Sequence, residues 1–167
     1  MANVDNPKGF WPTRHLKGGE IRTNRYVLTA SQTVYPGDVL KAVTAGSVEI
    51  ATAGIGSTAI GIAAEYKVAP ATGTTYIQVW DDPDIVFKVQ SQTGDTPAIT
   101  EMFTSGDHLA TTGDSTIKMS RQELKIDGNA QFFIIGLVPA PDNEWGEHAD
   151  LEVIFAEHAL ISRTTVS

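Results

Sequence analysis

No cysteine occurs among the 167 residues. That excludes a disulfide framework, a thiol nucleophile and any cysteine-ligated zinc or iron–sulfur centre, and it suits synthesis in a reducing cytosol. Long hydrophobic runs are missing as well. The longest apolar stretch near the C-terminus, Phe132-Phe133-Ile134-Ile135-Gly136-Leu137-Val138, has the length of a strand, far short of the roughly 20 residues of a membrane-crossing helix. The opening Met1-Ala2-Asn3-Val4-Asp5 has neither the basic nor the apolar region of a secretory signal, and no Asn-x-Ser/Thr acceptor is present. Positive charge is scarce: 12 Lys and Arg stand against 20 Asp and Glu, a net charge of −8. Such a balance speaks against nucleic acid as the main partner.

The length suits one domain, and a chain of this size can bury a core without metals or disulfides. The charge is unevenly placed. Residues 1–25 hold five cations (Lys8, Arg14, Lys17, Arg22, Arg25) against Asp5 and Glu20, a net +3, which leaves seven cations against eighteen carboxylates, −11, in the remainder. A basic arm and an acidic body attract each other, for example between neighbouring subunits. Pro7, Pro12, Gly9, Gly18 and Gly19 disfavour a helix in the first 25 residues. The segment nevertheless carries Phe10, Trp11 and Leu16, large apolar groups that disordered tails usually lack. Residues 1–25 therefore read as an extended arm that docks, on its own body or on a neighbour, and 26–167 as a single β domain.

Strand patterns fill that domain. Tyr26–Thr29, Asp38–Val43, Ser47–Ala53, Thr58–Tyr66, Thr75–Trp80, Ile85–Gln90, Ala130–Val138 and Leu151–Phe155 are β-rich or alternate apolar with polar residues. Tyr35-Pro36-Gly37-Asp38 has the Pro-Gly centre of a type II turn. Asp127-Gly128-Asn129 is a second turn. Residues 91–114 read as a long polar loop with one helical turn at the apolar cluster Ile99–Phe103, and Ser115–Ile126 fits either strand or loop. Short strands between turn signals predict a small β-barrel or β-sandwich with an extended N-terminal arm.

Motifs that would carry chemistry are weak. Asp81, Asp82 and Asp84 form a carboxylate cluster but lack the spaced loop of an EF-hand, and an acidic turn between strands explains them better. Asp107-His108, Glu147-His148 and Glu157-His158 pair acid with imidazole, but neighbours in a strand point to opposite faces, and none has metal-ligand spacing. Ala53-Gly54-Ile55-Gly56-Ser57 misses both G-x-G-x-x-G and the P-loop, and no G-x-S-x-G occurs. The expectation is a non-enzyme without cofactor or metal. Trp11, Trp80 and Trp145 stand beside Gly, Pro or Asp, where they suit either an interface or the cap of a small barrel.

Three stretches together resemble a family of small structural proteins encoded near the major capsid gene of tailed phages: Asn6-Pro7-Lys8-Gly9-Phe10-Trp11-Pro12-Thr13-Arg14-His15-Leu16-Lys17-Gly18-Gly19, the segment Val79–Gln90 around Trp80-Asp81-Asp82-Pro83-Asp84, and Ile134–Glu144 with Pro139-Ala140-Pro141. The resemblance implies a capsid decoration, or cement, protein: a virion component that is made in the host cytoplasm, binds the outer surface of the shell and stabilises it by non-covalent clamping. It implies the major capsid protein as partner, no membrane, and self-association as a homotrimer, with a homodimer as the alternative. In this reading Phe10, Trp11, Arg14, His15 and Leu16 of the arm contact capsid or a sister subunit, over a reach of up to about 80 Å if the arm is extended. The alternatives are another virion part, a head fibre base or tail protein, and a glycan-binding β module with Trp80 and Trp145 stacked on sugar.

Overall fold

Residue alternation divides this chain between two cores that share a wall. The computed structural model describes residues 3–53, 59–127 and 131–162. In chain order the strands are β1 (Trp11–His15), β2 (Asn24–Leu28), β3 (Thr33–Val34), β4 (Val39–Ala42), β5 (Val48–Ile50), β6 (Ala59–Ala63), β7 (Lys67–Val68), β8 (Thr75–Trp80), β9 (Ile85–Gln90), β10 (Ser105–Leu109), β11 (Glu123–Lys125), β12 (Phe132–Leu137) and β13 (Asp150–Phe155). A 3₁₀ turn covers Ile99–Glu101, and a single helical turn, α1, covers Ala159–Ser162. The expected mostly-β class with a small barrel holds. The turn expected at Asp127-Gly128-Asn129 and the glycine pair at Gly54 and Gly56 lie wholly or partly outside the described residues.

Strands β2-β5-β4-β6-β8 close into a barrel, and β1-β9-β13-β12-β10-β11 form a six-stranded sheet. Within the barrel only the β2–β5 pair is parallel. The sheet curls on itself, because Ser91, just after β9, bridges to Leu124 on β11. Leu28, Val34, Leu40, Val48, Ile60, Ala63, Ile77 and Val79 fill the barrel. Val39, Ala59 and Ile62 face the other way, onto Ile85, Phe87, Val89, Leu124, Phe132, Ile134, Leu151, Val153 and Phe155. Neighbouring residues of β4 and β6 thus serve different cores, which is why all five residues of β6 are buried. A strand covered on both faces reads as a continuous apolar run rather than an alternating one.

The Tyr35–Asp38 turn forms as its sequence predicts. Gly37 adopts φ 95°, the Asp38 N–H donates to the Tyr35 carbonyl at 3.0 Å, and the Asp38 carboxylate accepts from the Tyr35 N–H at 2.9 Å.

Residues 3–15 run along the body of the protein rather than reaching away from it. β1 pairs antiparallel with β9 as an edge strand of the six-stranded sheet. Pro12 is tolerated there because an edge strand leaves half its N–H groups without ladder partners, and a register shift between Pro12 and Arg14 bends the strand. Ahead of β1, the side chain of Gln90 brackets the chain: it accepts from the Asn6 N–H at 2.9 Å and donates to the Val4 carbonyl at 3.0 Å. Of the two docking surfaces left open by the sequence, the chain uses its own body.

His158 closes the far end of the core. It is fully buried, its ring meets Phe155 edge-on at 4.8 Å, and Nδ1 accepts from the Leu160 N–H at 3.1 Å. Burial is the main reason that its pKa is pushed down to about 4. The unfolded chain, with an ordinary histidine pKa near 6.5, takes up the proton first. The neutral ring therefore contributes stability above about pH 6.5, and this is lost as pH falls toward 4, in total about 3 kcal/mol. The buried carboxyls Asp38 and Glu123 are raised by burial and work in the opposite direction. Denaturation midpoints between pH 7 and 4 should fall for the wild type and fall distinctly less for His158→Gln; equal slopes would remove His158 as the cause.

Candidate functional site

The five arm residues end up in different environments. Phe10 is fully buried, stacked on Phe132 with centroids 4.5 Å apart. It is a core residue and offers nothing to a partner. Trp11 is half-buried; its indole N–H donates to the Lys8 carbonyl at 2.7 Å, and its ring meets Trp80 edge-on at 5.7 Å. Arg14 is exposed and paired with Glu152 at 2.9 Å. His15 accepts the Lys17 N–H on Nδ1, which leaves the Nε2 proton for Asp82 at 3.1 Å. Leu16 is 47% exposed. Of the five, Arg14 and Leu16 have solvent-facing side chains.

The charge asymmetry is used within the chain. Lys17 binds Asp84 at 2.6 Å, and that hydrogen bond, with the Asp84 charge, raises the Lys17 pKa. Burial alone would raise Asp82. The Asp84 N–H, the His15 hydrogen bond and the charges of His15 and Lys17 outweigh it and hold Asp82 below the usual carboxylate range. Asp81 points elsewhere. It is buried and accepts from Asn24 Nδ2 at 2.9 Å and from the Tyr26 hydroxyl; burial, and then this bond, push the Tyr26 pKa up. His15, Asp82 and Asp84 do bring ligand atoms within 4.8 Å of one another, but each already has a protein partner. The Asp81–Asp84 turn ties both β2 and β1 to the body, in keeping with the acidic-turn reading.

The acid–histidine pairs diverge. His108 is fully buried, with Nδ1 2.7 Å from Gln131 Oε1 and Nε2 3.2 Å from the Ala51 carbonyl. His158 packs in the core. His148 stands in the loop before β13 and lines a cavity of about 700 Å³ beneath the N-terminal segment, together with Asn6, Lys8, Trp11, Gln90 and Asp150. Trp80 and Trp145 are partly buried against the core rather than standing out as sugar-stacking platforms.

An exposed apolar patch lies beside β12 of the six-stranded sheet. Ile99 is 66% and Phe103 67% exposed, on and just after the 3₁₀ turn, and the Phe103 ring approaches Phe133 with centroids 6.2 Å apart. Phe103 has φ 68°, a left-handed conformation unfavourable for a bulky residue. Its N–H donates to the Ile134 carbonyl at 2.8 Å, which anchors the backbone in that conformation. The signal in sequence is the apolar cluster Ile99–Phe103 inside a Thr/Ser/Gly/Asp-rich loop, which predicts a helical turn but not an exposed face. Leu16 and Ile21, the latter 38% exposed, are two further exposed apolar residues on the segment between β1 and β2.

No protein-family model matches this sequence, and neither does any curated protein or solved structure.

Proposed function

We propose that this chain is a virion structural protein that binds the outer surface of a phage capsid and stabilises it non-covalently, without enzymatic activity. The observation that supports the reading is Phe103, a large aromatic ring held in solvent at a strained backbone position beside exposed Ile99. Solvent exposure of such groups costs free energy that a partner surface recovers. The sequence resemblance supplies the partner, the major capsid protein. The body is suited to such a role, because two cores sharing the β4–β6 wall give a stiff unit that loses little conformational freedom on docking. Repetition of one modest contact over a symmetric shell multiplies its effect, most directly if the unit is itself a trimer, or alternatively a dimer, on a symmetry axis.

The mechanism departs from an arm that orders on docking. Here Trp11–His15 of the arm already form a strand, so the contact falls to surface side chains, with Ile99, Phe103 and Phe133 central and Arg14 in β1 and Leu16 just after it.

Co-sedimentation with capsids that lack the protein tests this. Wild type should saturate at a fixed copy number. Phe103→Asn should bind about tenfold more weakly or worse, because most of a buried aromatic contact disappears. Its thermal midpoint should hold or rise, since asparagine tolerates the left-handed region. A wild type that does not bind removes the capsid reading; an Asn variant that binds equally removes this face.

A further inference from the structure

We propose that Asp5, Glu123 and His148 form a binding site for one divalent transition-metal cation, which pins the N-terminal segment to the body. The three residues come from distant parts of the chain: the segment before β1, the first residue of β11, and the loop between β12 and β13. Each presents a ligand atom, and these atoms all lie within 4.8 Å of one another.

The independent sign of a ligand is what burial has left without a partner. Glu123 is only 9% exposed, and its Oε1 is shielded from solvent with no hydrogen-bond partner among the described residues. His148 Nδ1 is in the same condition, 3.9 Å from the Asp5 carboxylate. A buried polar atom without a hydrogen-bond partner is costly, and a cation held by these residues would supply the missing interaction to both. The neighbouring acids are already engaged: Asp95 accepts from the Ile126 N–H and from Gln92, and Glu147 accepts from the Gly94 N–H at 2.7 Å. Burial, then the Asp5 charge, raise the Glu123 pKa, with His148 opposing and Asp95 adding; a bound cation inverts that balance.

The donor set selects the ion. Two carboxylates and one imidazole suit zinc or manganese, whereas calcium prefers six to eight oxygens and magnesium keeps most of its water. The remaining ring nitrogen, Nε2, lies 4.0 Å from Glu147, on the side where a carboxylate supports a metal-bound histidine. Asp5, with its side chain 58% exposed, is the member able to swing in and close the site.

Isothermal titration of the chelator-stripped full-length protein with zinc chloride, and separately with manganese, calcium and magnesium chlorides, tests the site. Zinc or manganese should bind at one ion per chain, about tenfold or more tighter than calcium or magnesium. Glu123→Gln and Asp5→Asn should each weaken binding by about tenfold or more. The metal-free Glu123→Gln protein should melt at or above the wild-type midpoint, because a buried charge has been removed, so lost binding cannot be mistaken for lost folding. Failure of the wild type to bind one ion overturns the proposal, as does unchanged zinc binding in both variants. Zinc binding that is instead lost in His15→Ala places the ion on the other carboxylate–histidine cluster and equally overturns it.

Discussion

Phe10→Ala should lower folding stability by about 3–5 kcal/mol, the range for an aromatic truncated in a closed core. Phe10 has no exposed surface and begins an aromatic series that runs through the core: Phe10 on Phe132 at 4.5 Å, Phe132 on Phe155 at 4.7 Å, Phe155 on Phe87 at 5.8 Å. The backbone of Phe10 is held by its N–H bond to the Gly37 carbonyl at 3.0 Å and by the β1–β9 pairing that starts at the next residue. The surroundings cannot easily collapse into the space it leaves. Leu16→Ala, six residues on and half exposed, should cost no more than about 0.5 kcal/mol. Urea denaturation followed by circular dichroism measures both. A loss below about 1 kcal/mol for Phe10→Ala would mean that the N-terminal segment is not part of the folded core in solution. One consequence concerns binding tests. Truncation before Arg22 removes Phe10 and all of β1, so a truncated protein that fails to bind capsids reports lost folding rather than a lost contact.

The second large effect is expected at Gly61, in the middle of β6. Its φ is 152°, which L side chains rarely adopt, and a Cβ there would collide with the Trp80 carbonyl oxygen and crowd Val79 Cγ1 at 2.8 Å and the Asp81 Cα at 2.9 Å. Gly61 stands opposite Leu40, where the β4–β6 register shifts, in the wall that both cores share. Gly61→Ala therefore combines backbone strain with overpacking, and about 3 kcal/mol or more should be lost. Gly46→Ala is the control. Gly46 also has positive φ, 76°, but no atom lies within 4 Å of its added Cβ, so only the backbone penalty of about 1–2 kcal/mol applies. Equal losses for the two would show that the β6 wall yields to accommodate the methyl group.

How much of the fold is legible in the residues depends on which physical rule dominates locally. β8 and β9 stand out because apolar and β-branched residues run between sharp breaks at Gly73 and Asp81-Asp82-Pro83. β1 is hidden because Pro12 and the flanking glycines argue for an irregular segment, and only the edge position makes them compatible with a strand. β10 is hidden for the opposite reason. Ser105-Gly106-Asp107-His108-Leu109 looks like loop, yet Gly106, Asp107 and His108 are buried, with His108 satisfied by Gln131 and Ala51 from far along the chain. No local pattern announces a polar strand whose partners are that remote. β3 and β7, two residues each, are too short to carry a period, and β11 lies inside a segment that fits strand or loop equally. The candidate contact residues divide in the same way. Size and hydrophobicity mark Phe10 and Trp11 as docking groups, but sequence does not say whether such groups dock on their own body. The Asp5, Glu123 and His148 cluster is invisible in sequence because its members stand 118 and 25 positions apart and meet only through the fold.

The place of β1 in the sheet also sets an order of events during synthesis. All five barrel strands lie between Asn24 and Trp80, so the barrel has its full complement once Trp80 has left the ribosome. The six-stranded sheet does not, because β9 must find β13, which ends at Phe155. The ladder partner of β1, β9, is finished by Gln90, but Phe10 stays uncovered until β12 brings Phe132 onto it. Pairings this distant in sequence are slow to form, and a waiting apolar strand is open to pairing with another nascent chain. Pro12 and the register shift beside it make β1 a poor template for such pairing. The same two features that hide the strand from a sequence reader thereby guard the newborn chain against aggregation.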